Sequence, residues 1–451
     1  MDRISHLPDE IIQHIGSFLS AKEAAFSTVL SKRWINLFTI ITYLHFDCME
    51  ENANFTDFVN RVLALPASHR VRKCFLNCCM WLGDNNSDHA VKYDLINRCL
   101  RAVLKLGVLV FKLLLDGRKV QYSLPFELFT CETITKLSLG RHFDIDNLPE
   151  NALLPALKTL YLDTIKFFDF GGNCAFKMLL DACVVLEDLT ICGVNWELWR
   201  WSRIVSSLSI KRLYIIREDW PSFVDSDFQI IIFHVPNLEY LYYSDVPKHF
   251  LNVNLNSLVR AKLHLIPGPG RDYKWEEGDE TLFQPMNLIH GLRNVEYLNM
   301  DVPTLEMFTV FRESLPVFEK LFHLYVNLLT LPYFCWVVGL HILIQKSPNL
   351  KILTINGPLH YYRGIFVGPE VCPCLWEYSF LMLCPLEVLT ITVYKGCPEE
   401  LIQMKLILEK LSYLKEVKVH SPATGERKLK LIADLEKLPR ASSMCEFKVV
   451  Q

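Results

Sequence analysis

The sequence predicts an α/β fold, in which a three-helix N-terminal unit precedes an irregular repeat solenoid with parallel strands on its inner face and helices outside. Two observations carry this prediction. A short apolar phrase returns along most of the chain, and segments with helical apolar spacing separate many of its copies. With 451 residues, of which 51% are hydrophobic, the chain is too apolar to be disordered and long enough for an extended array.

The N-terminal residues 1–46 contain the helical unit. Pro8 is tolerated in a first helical turn, and Asp9 and Glu10 complement the positive end of the helix dipole, so we expect a helix to begin near Pro8. Helical spacing then gives one apolar stripe, which consists of Ile11, Ile12, Ile15, Phe18 and Leu19. Two further short helices are expected up to Trp34. A unit of about 40 residues cannot bury a full core, so we expect a partner to cover part of its apolar surface.

The same segment resembles the F-box of plant F-box proteins. The match covers residues 2 to about 46 and consists of Ile4, Ser5, Leu7 to Ile11, Phe18, Leu19, Lys22 to Ala24 and Val29 to Trp34. There are two departures. Ser20 and Ala21 stand where the family usually has Pro-Thr, and Phe38 stands where it often has Trp.

This resemblance implies that the unit binds a Skp-family adaptor, which in turn connects to a cullin scaffold. It places at or near the adaptor interface the residues Leu7, Pro8, Ile11, Ile15, Leu19, Val29 and Trp34. Interfaces of this kind concentrate their binding energy in a few anchors. For any single position, the alternative is that the side chain only packs the bundle internally.

The recurring phrase, found from residue 71 to residue 419, is apolar, two residues, apolar, one residue, apolar. Its copies are VRKCFL, VFKLLL, ITKLSL, LKTLYL, LEDLTI, IKRLYI, LEYLYY, LVRAKL, VEYLNM, LFHLYV, LKILTI, LEVLTI and LKEVKV. They start roughly 20 to 39 residues apart, which overlaps and somewhat exceeds the leucine-rich-repeat period. Alternation puts the last two apolar residues of a copy on one face, so each copy predicts a strand.

Helical spacing separates several of these copies, in the segments 176–185, 228–235, 341–347 and 401–412. We therefore predict a leucine-rich-repeat solenoid over residues 47–375. Where a regular repeat places Asn or Cys after the strand, this chain has Ile165, Val194 or Val246, so we expect the asparagine ladder to be largely absent and the helices to be uneven. The polar segment 266–280 is rich in Gly and Pro and predicts a mobile excursion.

From about Phe380 the chain resembles the FBD region that often ends plant F-box repeat proteins, and we assign residues 376–451 to it. The match consists of Cys384 to Leu389, Lys395, Gly396, Glu400, Leu401, Ile407, Leu408, Leu414 and Lys415. Its pattern predicts two more strands around a helix. Residues 445–450 are expected to add an edge strand that closes the array.

The residue between the last two apolar positions of each copy is expected to point away from the core. Tyrosine recurs in this column with charged neighbours, and tyrosine and arginine dominate strong interfaces. We therefore predict a target-binding face with Tyr161, Tyr214, Tyr242, Tyr325, Lys211, Arg212 and Glu239. The alternative is that tyrosine only favours strands and stacks on its neighbours. A second candidate is the loop with Trp196, Trp199 and Trp201, whose indoles alternatively cover the open edge of adjacent repeats.

Composition excludes several classes of partner and compartment. The net charge is −3 with acids and bases interspersed, which argues against nucleic acid and against an anionic membrane. The longest apolar runs, 106–115 and 334–344, are too short to span a bilayer, and the charged N-terminus does not predict a secretory signal. The 15 cysteines lack disulfide-scaffold spacing, so we expect reduced thiols and an intracellular protein of the cytoplasm, the nucleus or both.

The sequence shows no Gly-x-Ser-x-Gly, His-Glu-x-x-His, phosphate loop or dinucleotide fingerprint, so it predicts no catalytic residue and no cofactor. Two thiol clusters lack zinc-site spacing, so no metal site is predicted; they are Cys372, Cys374 and Cys384, and Cys74, Cys78 and Cys79.

The F-box resemblance implies a non-catalytic substrate-recognition subunit of a Skp-cullin-F-box type ubiquitin ligase, in which the F-box docks to the adaptor and the solenoid binds the target protein. Two alternatives stay open. One is a small-molecule, hormone-like receptor that uses a pocket of the solenoid to gate target binding. The other is a cysteine-dependent intracellular enzyme, which no motif supports.

Overall fold

The computed structural model describes residues 7–8, 11–12, 15, 43–49, 54–66, 70–79, 86–116, 122–140, 144–145, 147–167, 169–170, 173–193, 204–218, 231–245, 250–265, 285–328, 337–357, 381–382 and 384–450. The chain divides into two compact units, residues 1–219 and 220–451. Within the described residues, no helix has both the length and the apolar character that crossing a membrane requires. The tryptophan loop around Trp199 and the segment 266–280 lie outside the described residues.

The N-terminal unit is built on a parallel sheet in which each main strand pairs with the next copy along the chain. Its strands are β1 Tyr43–Asp47, β2 Lys73–Cys79, β3 Val110–Asp116, β4 Lys136–Gly140, β5 Asp144–Ile145, β6 Thr159–Asp163, β7 Lys166–Phe167, β8 Asp169–Phe170, β9 Asn173–Cys174, β10 Asp188–Gly193, β11 Ile204–Ser206 and β12 Arg212–Arg217. The sheet order is β1-β2-β3-β4-β6-β10-β12. Its helices are α1 Phe55–Leu63, α2 Asn86–Lys105 and α3 Ala175–Ala182, with a 3-10 turn at Phe126–Thr130.

The C-terminal unit repeats the same plan. Its strands are β13 Ile231–His234, β14 Tyr240–Asp245, β15 Phe250–Asn254, β16 Arg260–Leu265, β17 Tyr297–Asp301, β18 His323–Asn327, β19 Ile352–Asn356, β20 Val388–Ile391, β21 Glu416–His420 and β22 Glu446–Val450. The parallel sheet runs β14-β16-β17-β18-β19-β20-β21-β22. The helices are α4 Met286–Gly291, α5 Val302–Val310, α6 Val337–Gln345, α7 Pro398–Leu408 and α8 Gly425–Glu436, with a 3-10 turn at Arg312–Ser314.

Alternating burial along many of the main strands explains why these segments form a sheet with one open face. In β6, Leu160 and Leu162 are fully buried, whereas Thr159, Tyr161 and Asp163 are only half-buried. Successive side chains of a strand point to opposite faces, and burying a leucine contributes about 1.5–3 kcal/mol. The repeated leucine pairs therefore fix which face of the sheet covers the core and which remains open.

The strand predictions are confirmed, since every copy of the phrase lies in or overlaps a main strand. In one copy, VFKLLL, the phrase was placed two residues too late along the chain. Val110 pairs with Lys73 and Lys136, so the buried pair of β3 that matches the other copies is Phe111 and Leu113. Strand β1 was missed although Ile41, Leu44 and Phe46 fit the apolar phrase, because this segment was assigned to the N-terminal helical residues 1–46.

The helix predictions are confirmed for 176–185, 341–347 and 401–412, which overlap α3, α6 and α7, but the prediction for 228–235 is wrong. Residues 231–234 form strand β13, which pairs with β15. The run of isoleucine and phenylalanine has high strand propensity, because branched and aromatic side chains pack well on a pleated surface. Phe233 also packs edge to face against Tyr243 and Phe250, with ring centroids 6.4 and 5.4 Å away.

The expectation that the asparagine ladder is largely absent is wrong for part of the C-terminal unit. The Asn356 amide donates to Asn327 Oδ1 at 3.0 Å, and the Thr392 hydroxyl donates to Asn356 Oδ1 at 2.6 Å. In the N-terminal unit, Asn77 donates to Asp47 in the same way. In β18 and β19 the ladder occupies the last strand position, Asn327 and Asn356, which corresponds to two residues before Ile165 and its equivalents.

Among the described cysteines, Cys48 departs from the expectation that all thiols are reduced. Most described cysteines are free thiols, and Cys74, Cys78, Cys99 and Cys183 are buried in the core. Cys48 is disulfide-bonded, to a sulfur outside the described side chains. A pairing of this kind depends on spatial proximity, which the spacing of cysteines along the sequence does not reveal.

Candidate functional site

In the F-box segment, residues 1–46, the described residues are 7–8, 11–12 and 15. They show that the helix predicted to begin near Pro8 has an inward side and an outward side. The amides of Ile11 and Ile12 donate to the Pro8 carbonyl at 3.0 and 3.1 Å, so the helix begins at Pro8 as the sequence predicts. Ile12 is only 3% exposed, and Leu7 and Ile15 pack against it. Pro8 is exposed, and Ile11 is 44% exposed.

This division bears on the predicted adaptor contacts. Pro8 and Ile11 are free to meet a partner, whereas Leu7 and Ile15 are partly used by the bundle itself. The remaining predicted contacts lie outside the described residues; they are Leu19, Val29 and Trp34. The whole set stays a prediction.

In the N-terminal unit, the strand register brings Tyr161 and Tyr214 into one column with Thr190 between them. The Cys192 thiol donates to the Tyr161 hydroxyl at 3.0 Å, and burial is the main cause that raises the pKa of Tyr161. Tyr161 is therefore a half-buried neutral phenol, partly engaged with its own sheet.

The predicted cations of this face are already paired. The Lys211 ammonium lies 3.5 Å from Glu187, which also faces Lys158 at 3.8 Å. Arg212 forms a bidentate pair with Asp188, in which Nη2 donates to Oδ2 at 2.7 Å. Because both cations already form ion pairs with neighbouring carboxylates, Lys211 and Arg212 are weaker candidates for a target contact than the sequence suggests.

In the C-terminal unit, Tyr242 and Tyr325 occupy one column, separated by Lys262 and Asn299. The Lys262 ammonium lies 4.2 Å from the centroid of the Tyr242 ring, within the range of a cation–π contact. Burial raises the pKa of Tyr325. The predicted Glu239 side chain is exposed at the start of β14.

The sequence reading missed a second column of this face, which lies two residues earlier in each strand. It contains Tyr240, Arg260, Tyr297 and His323. The Tyr297 and His323 rings meet edge to face with centroids 4.9 Å apart, and burial lowers the pKa of His323, so this imidazole is neutral at neutral pH. The period of two along a strand was the signal that could have found these residues.

A second missed group lies where β17 runs directly into α5. Asp301 caps this helix, because its Oδ1 accepts the Thr304 amide at 3.2 Å and the Thr304 hydroxyl at 2.6 Å. Its Oδ2 contacts Nδ1 of His264. The sequence Asp301-Val-Pro-Thr is a helix-start signal that could have identified the cap.

The N-terminal unit contains a cavity of about 460 Å³ beside α2. Its lining includes Asn97, Arg101, Glu127 and Phe129. Arg101 Nε donates to Glu127 at 2.9 Å, so the guanidinium is paired with a carboxylate that also lines the cavity. This volume lies in the range of small-molecule sites.

The buried thiols are poorly suited to nucleophilic chemistry. Burial raises the pKa of Cys99 and Cys183 to about 12, and that of Cys192 and Cys384 to about 11. A nucleophilic cysteine requires a lowered pKa, because the thiolate is the reactive form. Among the described residues, no group of three or more His, Cys, Asp or Glu side chains is arranged to hold a metal ion.

Comparison with known proteins decides the family. The chain is 60% identical to the F-box/LRR-repeat protein At3g62440 of Arabidopsis thaliana, in an alignment that covers 100% of both chains. The chain belongs to the F-box/LRR-repeat family. Two further Arabidopsis relatives are F-box/LRR-repeat protein At3g58980, at 49% identity over 99% of this chain and 74% of the relative, and F-box/LRR-repeat protein At2g42720, at 36% identity over 100% of both.

A family model described as "FBD-associated F-box protein At5g56370, LRR repeats" matches residues 96–268. The predicted membership of the plant F-box/LRR-repeat family is therefore confirmed, while the FBD region assigned to residues 376–451 stays a prediction. The matched interval runs from α2 to just beyond β16, so it contains Tyr161, Tyr214 and Tyr242 within its repeats.

The structure also gives a physical reason for the FBD-like residues of this F-box/LRR-repeat protein. Glu400 Oε2 accepts the backbone amides of Lys395, Gly396 and Cys397 at 2.9, 2.7 and 3.3 Å. Gly396 has φ +74°, a left-handed conformation that favours glycine. These residues thus build a backbone anion cradle that the chain fills with its own carboxylate, at the start of α7.

Proposed function

We propose that this protein is the substrate-recognition subunit of a Skp-cullin-F-box type ubiquitin ligase, with the F-box bound to a Skp-family adaptor and the repeats bound to a target protein. Family membership supports the general role of an adaptor. The observation that carries the proposal is the outward position of Pro8 and Ile11 beside the buried Ile12, since an exposed isoleucine at a helix start is a ready anchor for a second protein.

Such a subunit acts by position and not by chemistry. It raises the effective concentration of the target near the ubiquitin-charged partner that the cullin recruits. The raised pKa values of Cys99 and Cys192 support a non-catalytic role, because neither thiol is poised as a nucleophile at neutral pH.

The adaptor contact is tested by capture of a purified Skp-family adaptor on the full-length chain. We expect Ile11→Asp to reduce the affinity at least about tenfold, because a carboxylate cannot be buried against an apolar adaptor surface without a partner. The matched control is Leu429→Asp on α8, which makes the same kind of change at a leucine that is 68% exposed. Equal capture by wild type, Ile11→Asp and Leu429→Asp would remove the proposal.

The cavity beside α2 favours a second candidate function, that of a small-molecule receptor. Its volume of about 460 Å³ and its mixed lining of Asn97, Arg101 and Phe129 suit a small polar aromatic compound. Target capture that requires an added small molecule, by a chain that still binds the adaptor, would support this candidate. Capture that needs no such molecule would count against it.

A further inference from the structure

Strand β16 of the C-terminal unit carries basic side chains along its open face. Arg260, Lys262 and His264 alternate with the buried Ala261 and Leu263. His264 is met by the buried carboxylate of Asp301 on the neighbouring strand β17. His264 therefore already has an acidic partner inside the unit.

Arg260 and Lys262 differ from the other cations on the strands of this unit. Lys351 and Lys415 both bond Glu387, at 2.5 and 2.7 Å, at the strand starts. On the open face itself, Glu416 pairs with two lysines, namely Lys418 and Lys448. Within the part of the chain that the structure describes, neither Arg260 nor Lys262 forms an ion pair with a carboxylate.

Aromatic side chains surround these two cations. Tyr242 stands beside Lys262 on β14, and the column continues through Asn299 to Tyr325 on β18. Tyr297 pairs in register with Arg260 from β17. All three tyrosines are half-buried, so their rings are held in place while one side stays accessible to a partner.

We propose that this face, centred on Arg260 and Lys262 and framed by Tyr242, Tyr297 and Tyr325, binds an acidic, extended segment of the target protein. The inference rests on the proposed function, because it specifies the chemistry of the target that the repeats hold. An extended segment fits because the binding side chains recur at strand spacing, in register across β14, β16, β17 and β18.

Charge complementarity favours an acidic occupant. Carboxylates of the target would pair with Arg260 and Lys262, while tyrosine hydroxyls donate further hydrogen bonds. Glu239 and Glu296 stand at the starts of β14 and β17, where both side chains are exposed. They repel acidic groups at the strand starts, so they restrict the carboxylates of the target to the rows of Arg260 and Lys262.

The test measures binding of the full-length chain to three fluorescein-labelled peptide pools by fluorescence anisotropy. The pools have equal length and random sequence, except that alternate positions are fixed as Glu, as Lys or as Gln. The test variant is Arg260→Glu with Lys262→Glu. The matched control, Lys430→Glu with Lys437→Glu, makes the same change of net charge at exposed positions on and beside α8.

We expect wild type and control to bind the Glu pool about tenfold more tightly than the Gln pool, with a preference that weakens as salt rises. The test variant should lose this preference and bind the Lys pool best. The proposal is overturned if the Glu pool shows no measurable or no preferential binding to wild type, or if the test variant keeps the preference. Tighter binding of a single-stranded oligonucleotide than of the Glu pool, lost in the same variant, would also overturn it in favour of nucleic acid.

Adaptor capture is measured on the same samples, so that two failures can be told apart. If wild type captures the adaptor but shows no preference for the Glu pool, only the acidic-segment inference is overturned. If wild type does not capture the adaptor, the proposed function is overturned, whatever the peptide pools show. Unchanged thermal unfolding of the test variant shows that lost binding does not come from misfolding.

Discussion

At the scale of single residues, Glu387 shows how neighbouring repeats are tied together by charge. Its carboxylate accepts from Lys351 one repeat earlier and from Lys415 one repeat later, at 2.5 and 2.7 Å. These two hydrogen bonds lower the pKa of Glu387 to about 2. The same plan, with longer distances, joins Lys158, Glu187 and Lys211 in the N-terminal unit.

This lowered pKa makes stability depend on pH. Because the pKa of Glu387 is depressed in the folded state, its contribution is present above the ordinary carboxyl pKa and is lost as the pH falls towards about 2. We therefore expect Glu387→Gln to be less stable than wild type at neutral pH, with a difference that disappears in acid. Urea unfolding at several pH values measures this.

The control for this experiment is Glu313→Gln. Glu313 pairs with its neighbour Arg312, but both side chains are largely exposed, at 87% and 67%. An exposed pair of this kind contributes little, so the control should match wild type at every pH. If the difference in stability between Glu387→Gln and wild type stays constant from neutral pH to acid, the charge of Glu387 does not have the role described here.

The predictability of the site also depends on single residues. The phrase LEYLYY was enough to place Tyr242 on the open face, because side-chain direction alternates along a strand. It could not reveal that Lys262 lies over the Tyr242 ring or that Asp188 neutralises Arg212. Those contacts join side chains on adjacent strands, and their geometry is set by rotamers that the sequence does not specify.

At the scale of elements, the close approach of α6 to α5 depends on one glycine. A Cβ atom at Gly339 would collide with the backbone carbonyl of Leu305. Gly339 is the third residue of α6, and glycine has a low helix propensity, so its presence there is explained by this packing. The two helices are thus as close as their backbones permit.

Enlarging this residue should separate the helices. We expect Gly339→Val to lower the free energy of unfolding by about 1–3 kcal/mol, because the neighbour is backbone and cannot rotate away. The control is Gln345→Val, which places the same side chain at an exposed position of α6. Chemical denaturation compares the two variants, and equal stabilities would show that the contact with Leu305 is not limiting.

Elements differ in how well the sequence predicts them. Strands are predictable because the apolar phrase is short and local, whereas the segment 228–235, for which the sequence predicts a helix, contains strand β13. A short apolar run such as FQIIIFHV fits both periods, and its pairing with β15 decided the outcome. The cap of α5 was not predicted either, although Asp301-Val-Pro-Thr is a helix-start signal; the contact of Asp301 with His264 joins two strands and needs the three-dimensional structure.

At the scale of the whole molecule, each repeat contacts mainly its sequence neighbours, so the last repeat must be closed. Strand β22 pairs with β21 and is packed by α8, and among the described strands no other pairs with β22. Arg440 holds this end together, because Nη1 donates to the Cys445 carbonyl at 2.7 Å and the guanidinium lies 5.1 Å from the Phe447 ring. The predicted closing strand at 445–450 is confirmed.

Removal of this end should therefore promote association of the chain with itself. We expect deletion of residues 437–451 to expose the buried side chains of Leu431 and Leu435 on α8, together with the edge of β21. Size-exclusion chromatography with light scattering should then show association. Deletion of Gln451 alone is the control, and a monomeric 437–451 deletion with unchanged thermal unfolding would contradict this role of β22.

The alternation of half-buried and buried positions in strands such as β18 separates two kinds of evolutionary change. Leu324 and Val326 are enclosed in the core, whereas Tyr325 between them faces outward. Replacing the outward residue changes the exposed surface at little cost in folding, while replacing either neighbour endangers the fold. After gene duplication, a protein of this kind can therefore change its exposed surface by substitutions at alternate strand positions, while the scaffold stays the same.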